Sequence, residues 1–305
     1  RMPLSTTQSL LDSTPLNNVD ARVLLGHLLE QSLGWPRSAL VSKDQEKLPE
    51  SLISQWLELE QGRLRGQPVA YLIGKKGFHG IELNVNPSVL IPRPETELLV
   101  DLAIEEIKCQ ITHSDQVLKL RVLDLGTGSG AIALALANAI RESDQDTLKI
   151  EVIGIDASSD AITLAHQNAI ALDLSDVVQF IQSNWYTNIP KEWLGSFDLI
   201  LSNPPYIDPR DPHLHEGDLR FEPRKALTDE HDGLQCIRLI LDRCQEFLKR
   251  DGLIALEHGY SQGEQVRALL NQAGLSDVES RPDLAGHMRI SIGRKAPKTP
   301  LANRS

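Results

Sequence analysis

The sequence has few cysteines, few aromatic residues and no long apolar run. Only three of its 305 residues are cysteines, and 4% are aromatic. Cys109, Cys236 and Cys244 form no C-x-x-C pair and lie in apolar helical patterns, so they predict reduced core thiols rather than disulfides. No apolar stretch approaches the length of a membrane span, and residues 1–20 are too polar for the apolar core of a signal peptide. We therefore expect a cytoplasmic protein that makes no contact with a membrane.

Positive charge is also scarce. Lysine and arginine number 31 against 42 aspartates and glutamates, which gives a net charge of −11. A broad phosphate-binding surface needs an excess of positive charge. The excess of negative charge therefore argues against direct binding of nucleic acid, although it does not exclude a local basic groove.

Histidines at the spacing of metal ligands are absent. The histidines considered as ligands are His79, His213, His215, His258 and His287. They are scattered along the chain, whereas the ligands of a protein-bound metal follow short characteristic spacings. We predict that no metal is bound and that these side chains lie at the surface or behind a site.

Two kinds of periodicity divide the chain. Apolar residues fall at helical spacing from Val19 to Leu33 and from Pro49 to Leu64, so residues 1–74 predict a small N-terminal helical domain. In the stretch 75–93, alternating apolar and polar residues predict a β-hairpin linker. The tail 295–305 is polar and contains proline, and we expect it to be disordered.

Strand and helix patterns alternate in residues 94–294, which predicts an α/β domain with a parallel sheet covered on both faces. The segments are 122–125, 132–140, 150–155, 161–172, 177–181, 197–201, 234–248, 253–256 and 266–273. Near the end, Ser276 to Arg281 and His287 to Gly293 follow each other without a helix between them. They predict an antiparallel hairpin that closes one edge of the sheet.

A glycine-rich turn follows the first predicted strand of this domain. Its residues are Gly126, Thr127, Gly128, Ser129, Gly130 and Ala131. Backbone can approach a ligand closely there, and Asp156 at the end of the next strand could hold a ribose hydroxyl, so the turn predicts a nucleotide-like ligand. The pattern allows NAD or S-adenosylmethionine, or a turn without a ligand. Asp124, two residues before the first glycine, favours the cationic S-adenosylmethionine.

The stretch Asn203-Pro204-Pro205-Tyr206 follows the apolar run 197–202. Each proline has a fixed φ and no N–H donor, so the carbonyls of Asn203 and Pro204 can be held facing outward as acceptors for an NH2 group. A planar amide or aromatic amine is a poor nucleophile, and fixing both of its protons while Tyr206 stacks on its plane would orient it and localise its lone pair. The alternative is a strand followed by a Pro-Pro turn without a catalytic role.

The glycine turn and N-P-P-Y together resemble class I S-adenosylmethionine-dependent methyltransferases. The resemblance implies a Rossmann-like α/β fold with a mostly parallel seven-stranded sheet, an antiparallel edge hairpin and a small N-terminal helical domain. It implies S-adenosylmethionine as cofactor and S-adenosylhomocysteine as product, bound by Gly126, Thr127, Gly128, Ser129, Gly130, Asp156, Trp185 and Asn203. Trp185 would lie against the adenine, or else be an ordinary core aromatic. Asn184 stands where many relatives carry aspartate.

N-P-P-Y occurs both in adenine methyltransferases and in glutamine methyltransferases. Residues 68–74 and 90–97 resemble the hinge of the protein glutamine methyltransferases, and 211–214 with 217–223 resemble the peptide chain release factor enzymes (the HemK/PrmC family). The implied partner is a bacterial-type release factor, methylated on the glutamine of its Gly-Gly-Gln motif. A glutamine methyltransferase of a ribosomal protein and a nucleic-acid adenine methyltransferase remain alternatives. An inactive binding protein and an NAD-dependent oxidoreductase explain the two motifs less well.

The resemblance also implies a mechanism. The catalytic residues would be Asn203, Pro204 and Tyr206, and these three together with Pro205 would bind the substrate. The Asn203 side chain and the Pro204 carbonyl would receive the two hydrogens of the glutamine amide. No strong general base is required, because the proton leaves after positive charge has developed on nitrogen. A charged loop beyond the motif, with Glu216, Asp218, Arg220 and Glu222, would either rim the acceptor pocket or be a solvated loop.

Overall fold

The computed structural model describes residues 5–112, 117–143 and 148–297. The chain divides into two units. Among the described residues, unit 1 comprises those from 5 to 75 and from 215 to 221, and unit 2 comprises those from 76 to 214 and from 222 to 297. The short stretch 215–221 therefore belongs with the N-terminal helices although it follows N-P-P-Y in the sequence. The domain boundaries drawn from the sequence stay a prediction.

The described part of unit 1 is helical. Its helices are α1 (Thr7–Ser13), α2 (Asn18–Leu33), α3 (Ala39–Ser42), α4 (Glu50–Leu64) and α5 (Val69–Ile73). The side chain of Asn17 caps α2 by accepting from the Asp20 N–H, and Gly34 ends the helix in the left-handed conformation at φ 65°. Leucines of α2 pack with Trp56 of α4, which is 1% exposed, in the core of this unit.

Charged side chains hold the stretch 215–221 within unit 1. Arg63 donates to Asp20 at 2.6 Å and to Asp218 at 3.0 Å. Arg220 donates to the Arg65 carbonyl at 3.1 Å. Gly66 has a φ of 91°, in the region of backbone conformation that favours glycine, and Arg220 Nη2 lies against it. Part of the loop after N-P-P-Y is thus ordered by electrostatic contacts of the helical unit.

Unit 2 contains two sheets and the helices that cover them. Its elements are β1 (Lys75–Phe78, beginning at the last residue of unit 1), β2 (Ile81–Asn84), α6 (Glu97–Thr112), β3 (Leu118–Leu125), α7 (Ala131–Glu142), β4 (Leu148–Asp156), α8 (Ser159–Ala171), β5 (Val178–Gln182), β6 (Phe197–Ser202), α9 (Arg224–Leu227), α10 (Gln235–Phe247), β7 (Leu248–Glu257), α11 (Gly263–Gln272), β8 (Ser276–Pro282) and β9 (Met288–Arg294). Strands β1 and β2 form a separate sheet, and the other seven lie in the order β5-β4-β3-β6-β7-β9-β8. The neighbouring strands from β5 through β4, β3 and β6 to β7 are all parallel, whereas β9 is antiparallel to both β7 and β8. The predicted fold class is confirmed.

The order of the strands places the two motifs at one edge. Strand β3 lies between β4 and β6, so the connections run in opposite directions from it. Ligands of open α/β sheets bind at the carboxyl ends of strands beside such a switch point. The glycine turn after β3, Asp156 at the end of β4 and Asn203 after β6 all emerge there. All six residues of β6 are buried, which explains why four of them are apolar, at 197 and 199–201.

Two predictions about the periphery need correction or fall outside the structure. Cys244 is buried, but Cys109 is exposed and Cys236 half-buried, so the prediction of three core thiols is wrong. Cys109 lies two residues beyond the buried Ile107 on α6, and two helical steps turn a side chain to the opposite face. No disulfide joins the three. Residues 298–305 of the predicted tail lie outside the described residues. None of the described helices combines the length and apolarity that crossing a membrane requires.

Candidate functional site

A cavity of about 580 Å³ opens in unit 2 at the carboxyl edge of the sheet. Most of the predicted site residues line it: Gly126, Thr127, Gly128, Ser129, Asp156, Trp185, Asn203 and Pro205. Gly130, Pro204 and Tyr206 are not among its lining residues. Further lining comes from the segment 88–96 and from residues 223–226. The two motifs therefore share one cavity.

The glycine turn is held by the backbone of the neighbouring strand. The N–H groups of Gly126 and Thr127 both donate to the Ile155 carbonyl at 2.8 Å. Gly128 has a φ of 55°, and a Cβ there would meet no atom within 4 Å, which leaves open space for a ligand. Gly130 has a different role, because a Cβ there would lie 2.9 Å from Leu134 and Phe180. It allows α7 to pack against β5.

Two carboxyl groups accompany the turn. Asp156 accepts from the Gly128 N–H at 3.0 Å and from the Ser158 N–H at 2.9 Å, and burial raises its pKa. Asp124 is fully buried, and burial raises its pKa to about 7 despite a 2.6 Å hydrogen bond from the Thr127 hydroxyl. Its Oδ1 has no hydrogen-bond partner within the described residues. An open glycine cradle beside an unsatisfied carboxylate fits a cofactor that carries a cationic amino-acid group, such as S-adenosylmethionine.

Trp185 lies beside the glycine turn. Its Cζ3 atom is 3.8 Å from the position that a Cβ on Gly126 would take, and the residue lines the cavity. It also packs against the apolar core, so the ring is both a half-buried core residue and a wall of the cavity. The Ser183 hydroxyl donates to the Trp185 carbonyl at 2.8 Å, which stabilises the left-handed backbone of Trp185 at φ 50°. Asn184 is exposed and lines the same cavity.

The Asn203 amide is anchored through its nitrogen. Nδ2 donates to the Thr96 hydroxyl at 3.0 Å. No hydrogen bond among the described residues ends on Asn203 Oδ1 or on the Pro204 carbonyl, so both oxygens are acceptors without a donor. The two unused acceptors belong to consecutive residues, of which Asn203 lines the cavity; two such acceptors could receive the two hydrogens of a primary amide.

Tyr206 points towards Glu257 at the end of β7. Its hydroxyl donates to Glu257 Oε1 at 3.2 Å, and its carbonyl accepts from Gln262 at 3.0 Å. Burial raises the pKa of Tyr206, and it raises the pKa of Glu257 to about 7. These contacts explain why Tyr206 does not line the cavity: its side chain turns to the carboxyl group behind the acceptor site.

The charged loop after N-P-P-Y divides between two environments. Glu222 is 6% exposed, forms an ion pair with Arg93 and accepts from the Ile91 N–H at 2.9 Å. At this residue the loop is therefore buried and paired rather than solvated. Glu222 ties the end of the loop to the segment that lines the cavity. Glu216, Asp218 and Arg220 belong to unit 1, and Glu216 is exposed there.

Sequence reasoning missed three residues that support the site. Thr96 holds Asn203, Glu257 holds Tyr206, and the buried Asn168 donates to the Ser129 carbonyl at 2.9 Å. The partners of Thr96 and Asn168 are too distant in the sequence for a local pattern to connect them. Glu257 could have been found from the sequence, because it ends an apolar strand segment at the same edge of the sheet as Asn203. Within the described ranges no cluster of three histidine, cysteine or acidic residues could hold a metal.

The fold and the site define a class I methyltransferase, and a family model described as a methyltransferase domain matches residues 117–284. A second model, the PrmC N-terminal domain, matches residues 4–74. The hMettl16 catalytic domain, solved in complex with a MAT2A 3′UTR hairpin, matches at a TM-score of 0.52 over 80% of this chain and 81% of that one, with 15% identity, which shows the fold alone.

Curated relatives define the family more narrowly. The release factor glutamine methyltransferase of Burkholderia pseudomallei is 43% identical over 95% of this chain and 96% of its own length. The enzyme of the same name from Neisseria gonorrhoeae is 40% identical over 95% of this chain and 97% of its own length. The chain belongs to the release factor glutamine methyltransferase family. The resemblance drawn from the motifs is thus confirmed.

Proposed function

We propose that this protein transfers a methyl group from S-adenosylmethionine to the side-chain amide nitrogen of the glutamine in the Gly-Gly-Gln motif of bacterial-type release factors. The observation that carries the proposal is the unused acceptor Asn203 Oδ1, on a residue that lines the same cavity as the glycine turn. The release factor as substrate is the activity named for the relatives at 43% and 40% identity.

The chain's own residues would bind and orient the acceptor. Asn203 Oδ1 and the Pro204 carbonyl receive the two amide hydrogens, which fixes the plane of the amide and directs its lone pair at the methyl donor. Tyr206 sets the position of this segment through Glu257 and Gln262, and stacking of its ring on the amide stays a prediction. Positioning of two reactants contributes at most ~7 to 11 kcal/mol, and we ascribe most of the catalysis to it.

The cofactor would be held by the glycine turn. Bound S-adenosylmethionine supplies an electrophilic methyl group on a sulfonium. Gly126, Gly128 and their neighbours leave room for its methionine part, Asp156 provides carboxylate oxygens at the wall of the cavity, and Trp185 offers an aromatic wall for the adenine. Asp124, buried behind the turn with one oxygen unpartnered, adds negative charge near this part of the cofactor. Because release factors act on ribosomes, we expect the protein in the cytoplasm, without direct contact to nucleic acid or membrane.

The test is mass spectrometry of the Gly-Gly-Gln peptide after a bacterial release factor has been incubated with this protein and S-adenosylmethionine. We expect one added methyl on the glutamine with the wild-type protein. Asn203→Ala should lower turnover by on the order of 100-fold or more while the affinity for the cofactor stays within a few fold, because the lost acceptor serves the transition state.

A matched control separates this effect from general damage. Asn138→Ala removes the same side chain from α7, where it bonds only to Glu142 and Arg141 among the described residues, and should leave turnover unchanged. Loss of cofactor binding in parallel with activity in Asn203→Ala would assign Asn203 to the cofactor site instead. Methylation of a ribosomal protein or of adenine, with none on the release factor, would refute the proposed substrate. The net charge of −11 disfavours the adenine alternative.

A further inference from the structure

Gln262 connects three segments behind the N-P-P-Y turn. Its Nε2 donates to the Tyr206 carbonyl at 3.0 Å and to the Gly233 carbonyl at 3.3 Å, and its Oε1 accepts from the Gly259 N–H at 2.8 Å. All three partners are backbone groups, and a carbonyl can only accept whereas an N–H can only donate. The orientation of the Gln262 amide is therefore unambiguous, with its NH2 group towards Tyr206.

The backbone holds Gln262 at a fixed place. The residue is the N-cap of α11: its N–H donates to the Gly259 carbonyl at 2.9 Å, and its carbonyl accepts from the Val266 N–H at 2.9 Å. The side chain of an N-cap residue commonly accepts a hydrogen bond from the first turn of its helix. Among the described residues, the Gln262 side chain makes no such bond. It is directed instead at the segment that follows β6.

Gly233 encloses the same carbonyl from another side. Its φ is 78°, and a Cβ at this position would lie 2.5 Å from the Tyr206 oxygen. That oxygen belongs to the backbone, so it cannot move aside as the end of a flexible side chain could. The loop around Gly233 is itself ordered, because the Asp229 carboxylate accepts from the N–H groups of Gly233 at 3.0 Å and of Gln235 at 2.6 Å. Two segments distant in the sequence therefore converge on one oxygen.

The N-P-P-Y turn depends on how its two ends are held. Pro204 and Pro205 have fixed φ angles and no N–H groups, and peptide bonds are planar, so mainly ψ rotations remain between Asn203 and Tyr206. Asn203 is held at one end by its hydrogen bond to Thr96. Fixing the carbonyl at the Tyr206 end restricts the remaining rotations, and with them the direction of the Pro204 carbonyl between the two ends.

We propose that Gln262 is a positioning residue: it holds the Tyr206 end of the turn so that Asn203 Oδ1 and the Pro204 carbonyl face the acceptor amide together. Gly233 supports it by keeping the space beside the Tyr206 oxygen free of a side chain. The lining of the cavity within the described residues includes neither Gln262 nor Gly233, so we expect both to affect turnover rather than cofactor binding. This inference deepens the proposed function and rests on it for the nature of the acceptor.

The first variant is Gln262→Met, which nearly keeps the length of the side chain and removes its hydrogen bonds. We expect kcat to fall on the order of 10- to 100-fold, because a small displacement of an orienting group is costly in rate. The dissociation constant for S-adenosylmethionine should change less than about twofold. Gln245→Met is the matched control: Gln245 also donates to a backbone carbonyl, that of Ala273, but it does not line the cavity, and kcat should be unchanged.

Gln262→Glu separates the partners of the amide. At pH 8 its carboxylate is ionised, so it can accept from the Gly259 N–H but cannot donate to the carbonyls of Tyr206 and Gly233. We expect kcat to be no higher than in Gln262→Met. A wild-type kcat in Gln262→Glu would show that Gln262 acts through Gly259, and would overturn the inference.

Gly233→Ala tests the same carbonyl without changing Gln262. Its Cβ would displace the Tyr206 oxygen, so kcat should fall while the affinity for the cofactor is retained. Gly286→Ala is the control for backbone strain, because Gly286 has a similar φ of 84° but a Cβ there would meet no atom within 4 Å. It should leave kcat unchanged.

A readout without turnover keeps this inference separate from the proposed function. Tyr206 and Ile207 form the only Tyr-Ile pair in the sequence, so NMR-active isotopes in the tyrosine carbonyl carbon and the isoleucine nitrogen give one correlation for this peptide bond. Loss of the hydrogen bond from Gln262 should move the Tyr206 carbonyl resonance upfield in Gln262→Met but not in Gln245→Met.

This NMR measurement needs no methyl acceptor. It therefore stands even if the wild-type protein methylates no release factor, which would refute the proposed function alone. An unchanged Tyr206 carbonyl resonance in Gln262→Met overturns the inference. So does a shifted resonance with an unchanged kcat, or an equal loss of kcat and cofactor affinity.

Discussion

Asp124 near the end of β3 and Glu257 at the end of β7 are two buried carboxyl groups in similar surroundings. Burial raises the pKa of each to about 7, one oxygen of each accepts from a hydroxyl, and the other oxygen has no partner within the described residues. The difference lies in where the hydroxyl comes from. Thr127 is three residues from Asp124, whereas Tyr206 is 51 residues from Glu257.

This contrast separates the two halves of the cavity. The glycine turn of the cofactor half is encoded locally, because the turn and Asp124 lie within one short segment, although Asp156 and Trp185 join it from other strands. The acceptor half is assembled by the sheet, since Thr96, Asn203 and Glu257 come from three distant segments that meet only when β6 and β7 are adjacent. A local site tolerates change elsewhere in the chain, whereas an assembled site depends on the register of its strands.

The largest expected effect concerns stability and pH. A raised pKa means that the folded state binds the proton more tightly than the unfolded state. Each carboxyl therefore stabilises the fold below about pH 4, and this contribution is lost as pH rises to about 7. Relative to Asp124→Asn or Glu257→Gln, the free energy of unfolding of the wild-type protein should fall by about 3 to 4 kcal/mol across this range.

Urea unfolding of the cofactor-free protein between pH 4.5 and 8.5 measures this difference. Both variants should be more stable than the wild-type protein at pH 8. The two carboxyls differ if the unfolding free energies of the wild-type protein and Glu257→Gln change with pH in parallel, while those of the wild-type protein and Asp124→Asn diverge. Glu257 would then be ionised in the folded protein at little cost in stability.

A smaller effect separates the roles of the two carboxyls. Asp124→Asn removes a charge next to the glycine cradle, and hydrogen bonds to charged groups contribute about 1.5 to 3 kcal/mol. We expect the dissociation constant for S-adenosylmethionine to rise about tenfold or more, against less than about twofold for Glu257→Gln. Calorimetric titration at pH 8 measures both. Equal losses in the two variants would show that the cavity is a single site without separate halves.

The same contrast explains how far the sequence predicted the structure. The periodicity of residues 122–201 and the glycine turn predicted the parallel sheet and the place of the cofactor loop, because each signal is local. Helix α2 begins at Asn18 and ends at Leu33, within one residue of the predicted segment. Asn203 was predicted as an acceptor because a strand and two prolines surround it in the sequence.

The tertiary contacts of the site could not be predicted from the sequence. The Thr96 hydroxyl that fixes Asn203 is 107 residues away, and no pattern connects the two. Residues 215–221 lie in unit 1, where Asp218 and Arg220 contact Arg63 and the Arg65 carbonyl, and neither partner gives a signal near N-P-P-Y. Periodicity overstated the burial of Cys109 because the segment is helical but that position faces solvent.

The smallest expected effect compares the two hydroxyls directly. Thr127→Val and Tyr206→Phe each remove one hydrogen bond to a buried carboxyl, worth about 1 kcal/mol. Since both bonds lower the pKa of their carboxyl, its pKa should rise further in each variant, and the pH dependence of unfolding should extend to higher pH. The extension should be larger for Thr127→Val, because the hydrogen bond from Thr127 to Asp124 is 2.6 Å long and that from Tyr206 to Glu257 is 3.2 Å long.

Tyr260→Phe, at a side chain that is largely exposed, is the control and should leave the pH dependence of unfolding unchanged. A larger extension in Tyr206→Phe would mean that Glu257 depends on its distant partner more than Asp124 does on its near one.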